Sequence, residues 1–422
     1  MAEIIQSPRS AYLHIPFCHR RCFYCDFVVE PLGDRAHGEN GLASKSIKSY
    51  LEVLKREIDS SPKGPPLSTI YIGGGTPSLL SPSQIKSLID HLNDHFGFQD
   101  GFELTLEIDP ASFSQRDLNG YLKAGVNRIS LGGQSFDDSL LVKLGRNHCS
   151  DDLFKSCSWL REAFDRGDLL SWSLDLIQNL PGHDLKLWKN QLEKALSTSA
   201  PHLSIYDLSI EPGTLFETKY KKGLLELPKE DLSFEISIMS SEILREAGFS
   251  RYEISNYALP GHTSRHNRVY WSGSGWWGFG QGATSSPWGK RFSRPRTFES
   301  YANWVYAQED GLGEISLDSN NSKVLDFDDQ LLVGLRRREG VDLEKVAISW
   351  GWSCQQRKEY LMLLINYWED FINRGLLKNR GMRFQLSDPK GMELSNSVLL
   401  EMIRWWENLP SNAIISSSLL EP

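Results

Sequence analysis

The sequence predicts an α/β protein built on a parallel sheet, open or barrel-like, followed by a C-terminal α+β module with a winged-helix-like pattern. Two observations give the sheet. Six apolar or alternating runs recur through the first half, at 10–15 (SAYLHI), 68–73 (STIYIG), 102–107 (FELTLE), 126–131 (VNRISL), 171–177 (SWSLDLI) and 202–208 (HLSIYDL). Each has the length and period of a strand. Stretches of helical spacing separate them, at 46–58, 83–96, 114–124, 151–164 and 186–197, and strand–helix repetition joins parallel neighbours by crossovers. A third observation bounds the unit. Another helix is predicted over 228–248, then 250–306 is rich in Gly, Trp and Tyr, and GLGEISLDSNNSK reads as a linker. Beyond it, helices are expected at 325–337 and 354–375, with a small hairpin and a last helix after them. The expected units are 1–248, 249–318 and 319–422.

A chain of 422 residues, 40% hydrophobic and 11% aromatic, has material for a large core, and a formal charge of -8 argues against a broad basic footprint. The run RRR at 336–338 is short and reads as a solvated helix face, so no nucleic-acid binding is expected. No apolar run is long enough to span a bilayer, and MAEIIQSPRS lacks the order of a secretion signal, so a cytoplasmic location is expected. In a reducing compartment clustered cysteines point to metal rather than disulfides. Cys18, Cys22 and Cys25 fall within CHRRCFYCDF, whereas Cys149, Cys157 and Cys354 are scattered and read as small apolar residues. Spacings of three and two let one loop wrap three corners of an iron–sulfur cubane and leave the fourth iron open. The competing reading is a zinc site completed by His14 or His19, but no second ligand pair exists for it. GGGTP at 73–77, Glu107, Gln134, Asp175 and Tyr206 follow predicted strands, and in a barrel such positions share one mouth.

At these residues the sequence resembles the radical S-adenosylmethionine (SAM) enzymes, whose Cys-x3-Cys-x2-Cys signature is matched by Cys18, Cys22 and Cys25. More narrowly, YLHIPFCHRRCFYCDF, GGGTP, SLGGQSF, LGRNH, DLIQNLPG and IEPGT resemble, in order, the oxygen-independent coproporphyrinogen III oxidase group. The resemblance implies a partial (β/α)6 TIM-like barrel and a 4Fe-4S cluster whose open iron SAM chelates. By position, it implies SAM contacts at Tyr12, Tyr24, Gly74, Gly75, Thr76, Glu107, Gln134, Arg146 and Asp175. GGQ at 132–134 and QNLP at 178–181 depart from the group's usual GVQ and YGLP.

That group divides into oxidases, which decarboxylate a porphyrinogen, and haem chaperones of the HemW type. Cys25-Asp26-Phe27 resembles the chaperone branch, since oxidases commonly carry a further cysteine at the third position. His266-Asn267-x-x-Tyr270-Trp271 is similar to that branch's HNxxYW motif, which implies haem binding through His266, Asn267, Tyr270 and Trp271. Chemically, imidazole is a good axial ligand and aromatic rings offer flat apolar surface. Thr284 stands where relatives show a histidine. A haem chaperone is therefore the leading expectation, an active oxidase the alternative and a non-catalytic scaffold the third. The haem acceptor and electron donor stay unnamed, and a homodimer stays open.

Overall fold

The computed structural model describes residues 7–33, 43–287, 291–309 and 326–414. The linker expected at 311–323 lies outside these residues. All six predicted runs form strands: β1 (Ser10–Ile15), β2 (Leu67–Gly74), β3 (Phe98–Ile108), β4 (Arg128–Gln134), β5 (Ser171–Gln178) and β6 (His202–Asp207). They stand in sequence order, each parallel to the next. Antiparallel β7 (Ser250–Arg251) and β8 (Asn256–Ala258) extend the sheet beyond β6, and β9 (Trp277–Phe279) lies parallel outside β1.

Alternation along the strands separates two surfaces. Leu13, Ile72, Leu106, Ile129 and Leu174 belong to the main apolar core. On the opposite face, Tyr12, Tyr71, Thr105 and Arg128 share one register row, and Glu107, Ser130, Ser173 and His202 form the next. The concave side is therefore polar, the condition for a binding site rather than a packed barrel centre.

Among the described residues, eight helices cover the first unit: α1 (Ser44–Ser60), α2 (Pro82–Phe96), α3 (Gln115–Ala124), α4 (Asp138–Leu144), α5 (Ser150–Asp165), α6 (Leu185–Ser197), α7 (Leu215–Lys221) and α8 (Glu230–Glu246). In α1 the buried residues Ile47, Tyr50, Leu51, Leu54 and Ile58 recur at three and four, the stripe that packs on a sheet. Capping boxes Ser81/Gln84 and Ser114/Asp117 start α2 and α3. Helices α4 and α7, seven residues each, are too short to show a period in the sequence.

Two helices occupy the Gly- and Trp-rich segment: α9 (Arg265–Ser272) and α10 (Phe298–Glu309). Helix α9 closes the barrel at the N-terminal ends of the strands. Its first backbone N–H groups, on Arg265 and His266, each donate at 3.0 Å to the Glu103 carboxylate of β3. An acid facing a helix N-terminus satisfies orphan donors and complements the dipole.

The C-terminal part has its own core. It comprises α11 (Phe327–Leu335), β10 (Val341–Asp342), α12 (Leu343–Ser349), α13 (Cys354–Tyr367), α14 (Glu369–Asn373), β11 (Leu377–Arg380), β12 (Arg383–Leu386), α15 (Lys390–Glu393) and α16 (Ser395–Glu407). The expected hairpin is β11–β12, joined by β10 in the order β10-β12-β11. Phe327 stacks on Trp352 at 4.5 Å and on Trp406 at 5.2 Å. Three expectations need correction. The helix expected at 354–375 breaks at Trp368, whose buried indole donates to Val398 O at 3.2 Å. Arg336–Arg338 follow α11 rather than lining a solvated helix face, and the Arg336 guanidinium lies 5.8 Å over the Trp271 ring. Of the scattered cysteines only Cys157 is buried; Cys149 and Cys354 are exposed.

The two departures from the family pattern have local reasons. A β-carbon on Gly133 would meet Leu174 Cδ1 at 2.8 Å and Leu153 Cδ1 at 3.0 Å, so these leucines fill the space a valine would take. Buried Gln178 donates to Ser237 Oγ at 2.8 Å and Asp207 Oδ1 at 2.9 Å and accepts from Ser240 Oγ at 2.8 Å. Asn179, at φ 58, donates to the same Asp207 oxygen at 2.6 Å. Gln-Asn thus builds a polar network around Asp207 in which the Asn179 Oδ1 stays buried without a partner.

Candidate functional site

A cavity of about 1150 Å³ opens at the C-terminal ends of the strands. Cys18, Cys22 and Cys25 line it from the loop after β1. That loop is tethered on both sides: Phe23 N–H donates to Leu144 O of α4 at 3.0 Å, Arg20 Nε to Gly145 O at 2.8 Å, and Leu32 N–H to Cys18 O at 2.8 Å. Within it, Cys25 N–H donates to Cys22 O at 3.2 Å and Arg21 Nε to Cys25 O at 3.0 Å. Burial pushes the Cys18 thiol up to about 12, opposed by the Thr76 hydroxyl 3.7 Å away. Burial raises Cys25 as well. Metal loading therefore has to displace protons from these thiols.

The donor set fits a cubane and not a single ion. Among the described residues no three His, Cys, Asp or Glu side chains converge as ligands of one ion. A cubane instead gives each thiolate its own iron. Of the two histidines that could complete a zinc site, His14 is engaged at both nitrogens, by the Tyr12 hydroxyl at 2.9 Å and Val28 O at 2.7 Å, while His19 lines the cavity with its Nδ1 2.6 Å from Asn147 Nδ2.

Facing the cysteines are Gly74, Gly75 and Thr76. Their N–H groups are all engaged, with Glu107 Oε2 (2.9 Å), Ile15 O (2.8 Å) and Phe17 O (2.7 Å). What the turn can offer is carbonyl oxygen, the acceptor an ammonium needs. Only glycine fits at 75, where a β-carbon would lie 2.6 Å from Phe17 O and 2.9 Å from Cys18 Sγ. Gly75→Ala is accordingly expected to push the Cys18 segment outward and lower iron bound per chain, read by iron and sulfide analysis; full loading would show that the loop yields.

Glu107, Gln134, Arg146, Asp175 and Tyr24 also line the cavity. Burial raises Glu107 to about 7, against hydrogen bonds from the Tyr71 hydroxyl (2.8 Å) and Gly74 N–H, while Asp175 adds to the rise. Burial raises Asp175 too; its Oδ2 accepts from Ser130 Oγ at 2.7 Å and its Oδ1 is buried without a partner. Gln134 sits at φ 63 where the β4–β5 register shifts. The Arg146 guanidinium donates to Gly132 O at 2.8 Å and pairs with Asp109, and its Nη1 lies 3.5 Å from Cys22 Sγ. Asp109, two residues beyond Glu107, and Tyr71 of β2 also line the cavity and were missed; the signal for Asp109 was the acidic spacing in EIDP.

Five predicted residues do not line this cavity. Tyr12 lies a layer below it, stacked on Tyr71 at 6.1 Å. His266, fully buried on α9, is bonded at both nitrogens, to Thr69 Oγ1 (2.9 Å) and the Tyr270 hydroxyl (2.8 Å), and burial holds its pKa down near 3. Its ring stacks on Tyr71 at 5.2 Å. Asn267 and Tyr270 are half-buried on the same helix, and so is Trp271 beneath Arg336. Thr284 shares a hydrogen bond with Ser293 Oγ at 2.7 Å. No described helix is long and apolar enough to cross a membrane.

Residues 12–189 match the Radical SAM superfamily. Over 405 residues the chain is 36% identical to the heme chaperone HemW of Synechocystis sp., covering 93% of this chain and 95% of that protein. It is 34% identical to the Lactococcus lactis heme chaperone HemW, covering 94% and 97%. The E. coli coproporphyrinogen III oxidase HemN shares the fold, with a TM-score of 0.73 at 19% identity over 94% of this chain and 90% of that one. With its cysteine loop at the mouth of a parallel barrel and this identity along almost its whole length, the chain belongs to the HemW family of radical SAM proteins.

Proposed function

We infer that this chain is a haem chaperone: it holds a 4Fe-4S cluster and SAM in the barrel cavity and passes haem to an acceptor protein. The observation that carries the reading is the 36% identity to a heme chaperone across 95% of that relative. Cys18, Cys22 and Cys25 each hold one iron. Gly74, Gly75 and Thr76 accept from the SAM ammonium, Glu107 and Asp175 from its ribose hydroxyls, and Gln134 adds a neutral hydrogen bond. Arg146 meets the carboxylate with the part of its fork that Asp109 leaves, and Tyr24 packs beside the cluster. Bound there, the cluster supplies one-electron reduction of the sulfonium. Segment 249–318 contributes the haem contacts His266, Asn267, Tyr270 and Trp271, between a core of 1–248 and a terminal unit of 319–422. Since His266 is enclosed, α9 must leave the barrel floor before that imidazole can ligate iron. The site of action is the cytoplasm.

The test uses one cluster-loaded, anaerobic preparation. Haemin titrated into wild type is expected to give a Soret change that weakens in His266→Ala. Unchanged binding in the variant would remove His266 from the site, and absence of binding in wild type would sink the chaperone reading. SAM-dependent carbon dioxide from coproporphyrinogen III would establish the oxidase instead.

A further inference from the structure

At the floor of the cavity, where Tyr71 and Glu107 both belong to its lining, runs a line of contacts that the cysteine loop does not account for. The Tyr71 hydroxyl donates to Glu107 Oε1 at 2.8 Å while Gly74 N–H donates to Oε2 at 2.9 Å, so both carboxylate oxygens are fixed from beneath. The same Tyr71 ring stacks on His266 at 5.2 Å and 29° and on Tyr12 at 6.1 Å and 28°. His266 is itself held at Thr69, at Tyr270 and, through its backbone N–H, at Glu103. A β-carbon on Gly73 would meet both Tyr71 and Glu107 within 3.0 Å, so the pair is packed against backbone that leaves no slack.

We propose that Tyr71 is a positioning residue that joins floor helix α9 to the cavity, its hydroxyl holding the Glu107 carboxylate and its ring seating His266. The proposal takes its ligand, SAM, from the function inferred above; the joint itself stands on this chain's own atoms. If His266 leaves its seat, Tyr71 loses one stacked face, and the displacement reaches Glu107 through a single hydrogen bond. Occupancy of the cavity and the position of the haem-motif helix thereby become linked, and linkage between binding sites is reciprocal.

The groups facing Glu107 are Asp175 on β5, Tyr12 on β1, Tyr206 on β6, Tyr270 on α9 and Tyr71 itself. Of these, Tyr71 donates to the carboxylate and favours its ionised form, whereas Asp175 opposes it. Removing the hydroxyl should therefore raise the pH at which Glu107 ionises.

Infrared titration of the full chain without cofactor reads this directly, with the Glu107 carboxyl band identified by its loss in Glu107→Gln. The midpoint is expected to rise by about one pH unit in Tyr71→Phe, which keeps the ring and its stacking. It should rise less in His266→Ala, or in His266→Gln where the alanine variant does not fold, and not further when either is added to Tyr71→Phe. An unmoved midpoint in Tyr71→Phe, or a His266 effect equal in both backgrounds, overturns the proposal. In the cluster-loaded chain, equilibrium dialysis at pH 7 should show SAM held about tenfold more weakly by Tyr71→Phe; undiminished affinity also overturns it. Infrared shifts as expected in the chain without cofactor, together with no SAM binding by the cluster-loaded chain, would sink the cofactor reading and uphold the joint.

Discussion

Cys22→Ala is expected to bring bound iron and inorganic sulfide from about four each per chain to below one, while the fold persists. Each thiolate of a three-cysteine site serves a separate iron, so losing one leaves a cluster with two protein attachments and two open irons. Cys22 is half-buried in the cavity wall and belongs to none of the hydrophobic clusters, so its removal should change stability by no more than about 0.5 kcal/mol. Far-ultraviolet circular dichroism and the melting temperature should match wild type. Cys354→Ala, at an exposed thiol far along the chain, is the control and should load fully. An intact cluster in Cys22→Ala would contradict the ligand assignment.

Arg294→Met should be the most damaging substitution away from the cavity, costing about 3–5 kcal/mol in urea denaturation. Glu57 of α1 and Arg294 are each about 5% exposed or less and meet at 2.7 Å. Glu57 also accepts from Gly280 N–H at 2.7 Å and from the Tyr301 hydroxyl of α10 at 2.6 Å. One carboxylate thus ties α1, the turn after β9 and α10 together at the edge of the sheet. Taking away the arginine strands a buried charge, which costs more than the pair contributed. Glu57→Gln combined with Arg294→Met should recover much of the loss, because a neutral amide can remain buried among the surviving partners. A single-variant cost below about 1 kcal/mol would show that the pair is not structural.

Much of the fold was legible because its signals are local. Alternation in SAYLHI or FELTLE is visible without knowing its neighbours, and the crossovers between strands dictate parallel pairing. The cysteine loop was legible for the same reason, three ligands lying within eight consecutive residues. Tyr12 was expected as a SAM contact from the resemblance, but the strand pleat turns it into the barrel beside Tyr71. Arg146 was expected only as a SAM contact, and its pairing with Asp109 spans 37 residues that no spacing rule connects. Helix α9 was the hardest to foresee. Eight residues are too few to show a period on their own, and although Ser264 and Gly273 cap the helix locally, its place in the barrel is fixed by Glu103, 162 positions away from Arg265. His266 therefore looked like an open ligand in the sequence, whereas in the fold it is a floor residue.

The stopper formed by α9 and Glu103 makes the barrel a cup instead of a tube. A cup is emptied through its rim, so whatever settles deepest must arrive first and depart last.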